Sequence, residues 1–112
     1  MKRFAVAILL ALTMPARAED IGSANYFLPG CKAYLDDSMT GVLMLFGGRC
    51  IGFIEGLVYG VEGEDFCQPK GVTIAQGVAV VVKYIEARPE RMHEDFGKLA
   101  LEALEQAWPC KH

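Results

Sequence analysis

Histidine is scarce in this chain of 112 residues, and the motifs that usually signal catalysis are missing. His93 and His112 are the only histidines, and neither pairs in sequence with a serine or cysteine as the base of a nucleophile. There is no phosphate-binding loop and no haem-attachment motif. No C-x-x-C pair occurs, which argues against a zinc site and a thioredoxin-like redox centre. We therefore predict a protein that is not an enzyme, with no catalytic residue, no metal and no cofactor.

Basic residues are also few. The chain has 11 Lys and Arg against 14 Asp and Glu, which gives a net charge of −3. Loss of the first eighteen residues would remove Lys2, Arg3 and Arg17, leaving 8 basic residues and a net charge of −6. Nucleic acid and anionic lipid are bound by clustered Lys and Arg, so we expect neither as a partner. An acidic domain of this kind suits a basic protein partner.

The N-terminal segment has the composition of a secretory signal peptide. Lys2 and Arg3 precede an uncharged apolar run over residues 4–14, and Ala16 and Ala18 supply the small-x-small pattern of a cleavage site. The run is too short to span a bilayer as a mature helix. We predict that the protein is exported to the periplasm or secreted.

Cleavage near Ala18 divides the chain into a signal peptide, residues 1–18, and one mature domain, residues 19–112. A domain of this size has a core too small to be strongly stable by itself, and an oxidising compartment allows disulfides to compensate. The even number of cysteines fits such a scaffold, and four cysteines allow three connectivities. They are Cys31, Cys50, Cys67 and Cys110.

The first half of the mature chain predicts short helices followed by a long one. Ser23 is a candidate cap for a short helix, which Pro29-Gly30 should interrupt because proline lacks a backbone N–H. A long apolar segment extends from about Gly41 to Val61 and resembles a membrane span, but Arg49 and Glu55 interrupt it. We predict a buried helix of a soluble domain and no membrane span in the mature chain.

This long helix carries glycine at every fourth position, at Gly48, Gly52, Gly56 and Gly60. Each glycine weakens a helix by about 1 kcal/mol relative to alanine, so four on one stripe require a reason. We predict that the stripe lets another part of the same chain pack closely against it. The alternative is a groove for a second copy or another partner.

The second half predicts a loop and two helices. Residues 62–71 are polar and contain Gly and Pro, whereas Thr73 and Gln76 form a capping box that begins a helix. Pro89 should end that helix, and a final helix should extend over about residues 93–108. The sequence therefore predicts an all-α fold, a small domain of four to five helices with two disulfides.

The helix layout selects one disulfide connectivity. The last two helices are joined by a tight turn and should be antiparallel, so Cys67 before the first lies near Cys110 after the second. Cys31 and Cys50 lie on either side of the turn at residues 37–40. We predict the pairs Cys31–Cys50 and Cys67–Cys110, worth roughly 3 and 4 kcal/mol by the loop-entropy model.

Several segments, in this order and spacing, resemble the Rap/Tai family of type VI secretion immunity proteins. The resemblance extends from about Asn25 to Cys110 and rests on the four cysteines in their helical settings. The segments are Leu28-Pro29-Gly30-Cys31, Cys50-Ile51-Gly52-Phe53-Ile54-Glu55-Gly56, Phe66-Cys67, Gly71-Val72-Thr73 with Gln76, Tyr84-Ile85-Glu86, Pro89-Glu90-Arg91, Leu101-Glu102-Ala103-Leu104 and Ala107-Trp108-Pro109-Cys110.

The resemblance implies a periplasmic, all-helical protein that inhibits a secreted peptidoglycan amidase, often as a homodimer. The sequence offers a partner-binding segment of its own, the acidic loop after the long helix, with Glu62, Glu64, Asp65 and Phe66 as candidate contacts. Two alternatives remain, a periplasmic stress chaperone and an envelope interaction protein of the same small helical class.

Overall fold

The computed structural model describes residues 20–111, and these form four α-helices joined by short connections. The helices are α1 (Ala24–Leu35), α2 (Val42–Val61), α3 (Ile74–Glu86) and α4 (Phe96–Ala107), with a 3-10 turn at Pro89–Arg91 before α4. The predicted small all-α fold is confirmed. The signal peptide predicted over residues 1–18 lies outside the described residues.

Helix α1 is continuous, so the predicted interruption at Pro29 is wrong. Proline costs a helix interior about 3 kcal/mol, but the residues on both sides of it pack into one core. Phe27, Leu28 and Cys31 are buried, whereas the ring of Pro29 is exposed. Core burial of the flanking turns therefore holds the helix together across the missing hydrogen bond.

The start of α1 is held by tertiary contacts and not by a side-chain cap. Ser23 is the N-cap residue, as predicted, but its hydroxyl forms no capping bond. The first free N–H groups of the helix instead donate to the segment before α4, from Ala24 to the carbonyl of Glu94 (3.0 Å) and from Asn25 to that of Met92 (2.8 Å). The carbonyl groups of Met92 and Glu94 are thus bonded to α1 and lie outside α4. Helix α4 begins at Phe96 and not near His93 as predicted.

Helix α2 has the predicted bounds, but the prediction that it is buried is wrong. Only Gly47, Cys50 and Ile54 are buried in the 20-residue helix. By length and composition it could cross a membrane, and 17% of its apolar stretch of 18 residues is buried. Large apolar side chains on its outer side are exposed, with fractions of 61% for Met44, 65% for Leu45 and 93% for Tyr59.

The glycine stripe of α2 faces open space, so the predicted close packing within the chain is wrong. A Cβ atom added at Gly48, Gly52, Gly56 or Gly60 would meet nothing within 4 Å. The close approach lies elsewhere: a Cβ added at Gly30 would be 2.4 Å from the backbone carbon and oxygen of Phe46. Helices α1 and α2 therefore cross at Gly30.

Both predicted disulfides are confirmed. Cys31 is bonded to Cys50, with Cα atoms 5.3 Å apart, immediately beside the crossing of α1 and α2. Cys67 is bonded to Cys110 over a sequence separation of 43, which brings the start of α3 and the end of α4 together as the antiparallel layout requires. Both sulfurs of the first bridge are fully buried, whereas the second is partly exposed.

Helices α3 and α4 begin at well-defined caps and supply most of the core. Thr73 and Gln76 form the predicted capping box, and the carboxylate of Asp95 accepts from the backbone N–H of Lys98 (2.9 Å). At the centre of the domain the rings of Phe27 and Phe96 stack, with centroids 4.3 Å apart. Val78, Val81, Ile85, Leu99 and Leu104 are buried around these rings.

Candidate partner-binding site

The acidic loop, residues 62–70, begins directly after the last residue of α2 as a tight turn. The backbone N–H of Asp65 donates to the carbonyl of Val61 (3.0 Å), and that of Gly63 donates to the carbonyl of Phe66 (2.7 Å). Gly63 has φ +90, a conformation that side chains disfavour and glycine allows. These bonds keep the first half of the loop compact.

The second half of the loop is attached to the core. Phe66 is fully buried, so its side chain packs inside the domain and is not part of the exposed surface on which we expected it. Cys67 is bonded to Cys110, and its backbone N–H donates to the carbonyl of Trp108 (2.8 Å). A partner that contacts this loop would therefore meet a preorganised turn, which lowers the entropy cost of binding.

The three acidic side chains of the loop all point to solvent. Glu62, Glu64 and Asp65 are exposed, and none forms a salt bridge with another residue in the range 20–111. Their charges are free to attract a basic surface, since no cation of the described chain neutralises them. Such unpaired rim charges speed association more than they add affinity.

A shallow apolar groove of about 160 Å³ lies beside the acidic loop, between α2 and the start of α3. No pattern in the sequence marked it, because its walls come from segments that meet only after folding. An apolar groove beside carboxylates suits a Lys or Arg side chain, whose methylene stem packs while its charge is paired. The walls include Ile54, Val58, Gln68, Val72 and Ile74.

A second group of charges, before and within α4, is structural. The guanidinium of Arg91 donates two hydrogen bonds to the carboxylate of Glu102 (2.8 and 3.1 Å) and is also bound by Glu94. The hydroxyl of Tyr84 donates to Glu102 (2.9 Å), and Lys98 pairs with Glu94 (3.0 Å). We call these five residues the Arg91 clamp. They join α3, the 3-10 turn and α4.

The Arg91 clamp lowers the pKa of both its carboxyl groups, those of Glu94 and Glu102. Hydrogen bonds from Arg91 and then from Lys98 lower the pKa of Glu94 from 4.5 to about 2. A hydrogen bond from Arg91 also lowers the pKa of Glu102. A carboxyl group whose pKa is lower in the folded than in the unfolded protein stabilises the fold above its unfolded pKa. That stabilisation is lost as the pH falls from about 4.5 towards 2.

We therefore expect Arg91→Met to lower the melting temperature at pH 7 and to flatten its dependence on pH below 4.5. Thermal unfolding followed by circular dichroism between pH 7 and pH 2 measures both effects. Lys32→Met is the control, because the Lys32–Glu86 pair is about half exposed and such pairs contribute little. Parallel pH profiles for wild type and Arg91→Met would contradict the role of the clamp.

No group of three potential His, Cys, Asp or Glu metal ligands comes together within residues 20–111. The described part of the chain thus combines a small helical scaffold, two disulfides, a free acidic loop and an adjacent apolar groove. These features define a class, the small all-α proteins held together by disulfides.

Comparison with known families identifies the family within this class. A family model described as Rap1a immunity proteins matches residues 23–110, and the chain therefore belongs to the Rap1a immunity protein family. Its function is thus immunity against a toxin, and a toxin is its expected protein partner. No curated protein and no solved structure matched the chain.

Proposed function

We propose that this protein is a periplasmic immunity protein that binds and inhibits a secreted peptidoglycan amidase of a type VI secretion system. Membership of the Rap1a family supports immunity, and the resemblance to Rap/Tai proteins supports an amidase as the toxin. The two disulfides support an oxidising compartment, in agreement with the predicted signal peptide. The protein acts by binding and carries out no chemistry of its own.

The exposed acidic loop is the observation that supports this proposal for where the toxin binds. Its carboxylates are free of salt bridges among the described residues, its backbone is preorganised, and the groove beside it can accept an apolar stem. A basic surface around the catalytic cleft of the toxin would be drawn to this loop, and a protein seated there would block access of the peptidoglycan substrate. Phe66 supports the loop from the core and makes no direct contact.

Neutralising two loop carboxylates tests this site. We expect Glu64→Gln/Asp65→Asn to lower the association rate with the amidase about tenfold at low salt and to weaken its salt dependence. The melting temperature should change little, because both side chains are exposed and unpaired among the described residues. Surface plasmon resonance at several salt concentrations, with a peptidoglycan amidase of a type VI secretion system as the partner, provides the measurement.

The matched control removes the same charge elsewhere. Asp36→Asn/Glu90→Gln neutralises two exposed carboxylates outside the loop and should leave association close to wild type. Equal slowing by both double variants would indicate a general effect of net charge and would remove the loop from the mechanism. Failure of the wild-type protein to inhibit peptidoglycan cleavage by the amidase would reject the proposed target, although the family assignment would stand.

Self-association is the second part of the proposed function. The resemblance to Rap/Tai proteins implies a homodimer, and the exposed apolar side of α2 supplies a surface that a second copy could cover. Light scattering coupled to size exclusion measures the mass in solution. A monomer at all accessible concentrations would reject this part and would leave the inhibitory role to be tested separately.

A further inference from the structure

One side of α2 is both apolar and uncovered by the rest of the described chain. We define the α2 outer face by the exposed residues Val42, Met44, Leu45, Gly48, Gly52, Gly56 and Tyr59. The helix has 20 residues and is about 30 Å long, so this face is an extended strip. Contiguous exposed apolar surface of this kind is typical of an interaction site.

The α2 outer face is self-complementary about Gly52. Leu45 and Tyr59 are each seven residues from Gly52, on opposite sides of it. If two α2 helices lie antiparallel with Gly52 at the centre, Leu45 of one copy is level with Tyr59 of the other. At the centre the glycines leave space that a second backbone can enter, because nothing lies within 4 Å of their added Cβ positions.

The charges of α2 follow the same symmetry. Arg49 and Glu55, the only charged residues of the helix, are each three residues from Gly52 and have opposite signs. Within residues 20–111 neither forms a salt bridge, although Arg49 donates to the hydroxyl of Tyr26 (2.9 Å). An antiparallel pair places Arg49 of one copy level with Glu55 of the other. A parallel pair would bring like charges together, which is unfavourable.

We infer that the α2 outer face is an isologous interface with a second copy of this chain, in which two α2 helices pack antiparallel around Gly52. This rests on the homodimer proposed above and adds its surface and register. A bilayer fits the face less well, because Arg49 and Glu55 would both lie near the hydrocarbon centre, at about 3 kcal/mol each. A second copy brings charges of opposite sign to the same level of the interface and leaves both near solvent.

Introducing a charge at the symmetry axis tests the surface. Gly52→Arg should fold normally, since the position opens to free space, but two guanidinium groups would meet at the axis of the dimer. We expect the dimer dissociation constant to rise about 100-fold, measured by sedimentation equilibrium. Ala79→Arg, on an exposed position of α3, is the matched control and should associate like wild type.

Cysteine cross-linking tests the register. Gly48 and Gly56 are each four residues from Gly52 on opposite sides, so antiparallel packing makes Gly48 of one copy level with Gly56 of the other. An oxidised mixture of Gly48→Cys and Gly56→Cys should therefore yield mixed dimers, whereas Gly48→Cys alone should not cross-link, because its two sites would be about 12 Å apart along the helices. Peptide mapping verifies that both native disulfides remain.

The possible results separate the surface from the proposed function. A Gly52→Arg protein that remains dimeric would overturn the α2 interface and keep the homodimer, whereas a monomeric wild type would overturn both. Efficient cross-linking of Gly48→Cys with itself would overturn the antiparallel register. Binding of the wild type to anionic phospholipid vesicles, or suppression of client aggregation, in place of dimerisation would assign the face to a membrane or to unfolded clients. Inhibition of the amidase is measured independently of all these results.

Discussion

Gly30→Ala should lower the free energy of unfolding by about 3 kcal/mol, the upper part of the range for overpacked cores. The added methyl would lie 2.4 Å from the backbone of Phe46, and a backbone cannot rotate away as a side chain can. The adjacent Cys31–Cys50 bridge holds α1 and α2 together, so the helices cannot separate to make room. Denaturant unfolding of the oxidised protein measures the change.

Gly77→Ala is the matched control for this substitution. Gly77 is also a buried helical glycine, but its added Cβ would be 3.6 Å from the side chain of Ile54, an ordinary van der Waals contact. The gain in helix propensity, up to about 1 kcal/mol, should therefore appear as equal or higher stability. If Gly30→Ala were as stable as Gly77→Ala, the close approach of α1 to α2 would be disproved.

Removal of the Cys67–Cys110 bridge should have the largest effect. The double variant Cys67→Ala/Cys110→Ala should lose about 4 kcal/mol, since the bridge closes a loop with a sequence separation of 43. For a domain of this size, this corresponds to a fall in melting temperature of roughly 15–30 °C. The acidic loop and the C-terminal end of α4 should then unfold most easily, because Cys67 and Trp108 are held together beside the bridge.

The two bridges should also differ in their accessibility to reductants. Cys31 and Cys50 are fully buried, whereas Cys67 and Cys110 are partly exposed, so mild reduction should open the Cys67–Cys110 bridge first. Alkylation followed by peptide mapping identifies which sulfurs become free. Prior release of Cys31 and Cys50, or a double alanine variant at Cys67 and Cys110 with unchanged stability, would contradict the structural role assigned to this bridge.

The two surfaces proposed for binding are both anchored to the rest of the domain. The acidic loop is fixed at one end by α2 and at the other by a disulfide and a hydrogen bond to Trp108. The α2 outer face lies on a helix bonded to α1 through Cys50. Because both surfaces sit on rigid supports, changes in their exposed side chains should alter binding with little effect on the fold.

Features that depend on neighbouring residues in the chain were predicted well. The capping box at Thr73, the end of α3 before Pro89 and the bounds of α2 agree with the structure. The disulfide pairs were also correct, because the order of cysteines and helices limits which ends can meet. Helix caps, loop lengths and a proline that follows a helix act over a few residues, and their effects can therefore be read locally.

Apart from the disulfide pairs, features that depend on which distant segments meet were not predicted. The exposed carboxylates of the acidic loop could be anticipated from composition, but burial of Phe66 in the core could not, because it depends on how the helices pack after folding. The groove beside the loop joins α2 to the start of α3, and the Arg91 clamp joins Tyr84 of α3 to Glu102 of α4. The sequence pattern does not show which of these residues come close together after folding.

The sequence by itself determined the all-α class, the position of three of the four helices, both disulfides and the acidic character of the loop after α2. Only the tertiary structure decided that α1 continues through Pro29, and that Gly30, not the glycine stripe of α2, is where two backbones meet. The physical reason is the same in both cases. Helix signals and chain order constrain local conformation, whereas the cost or benefit of a proline or glycine depends on what packs against it after folding.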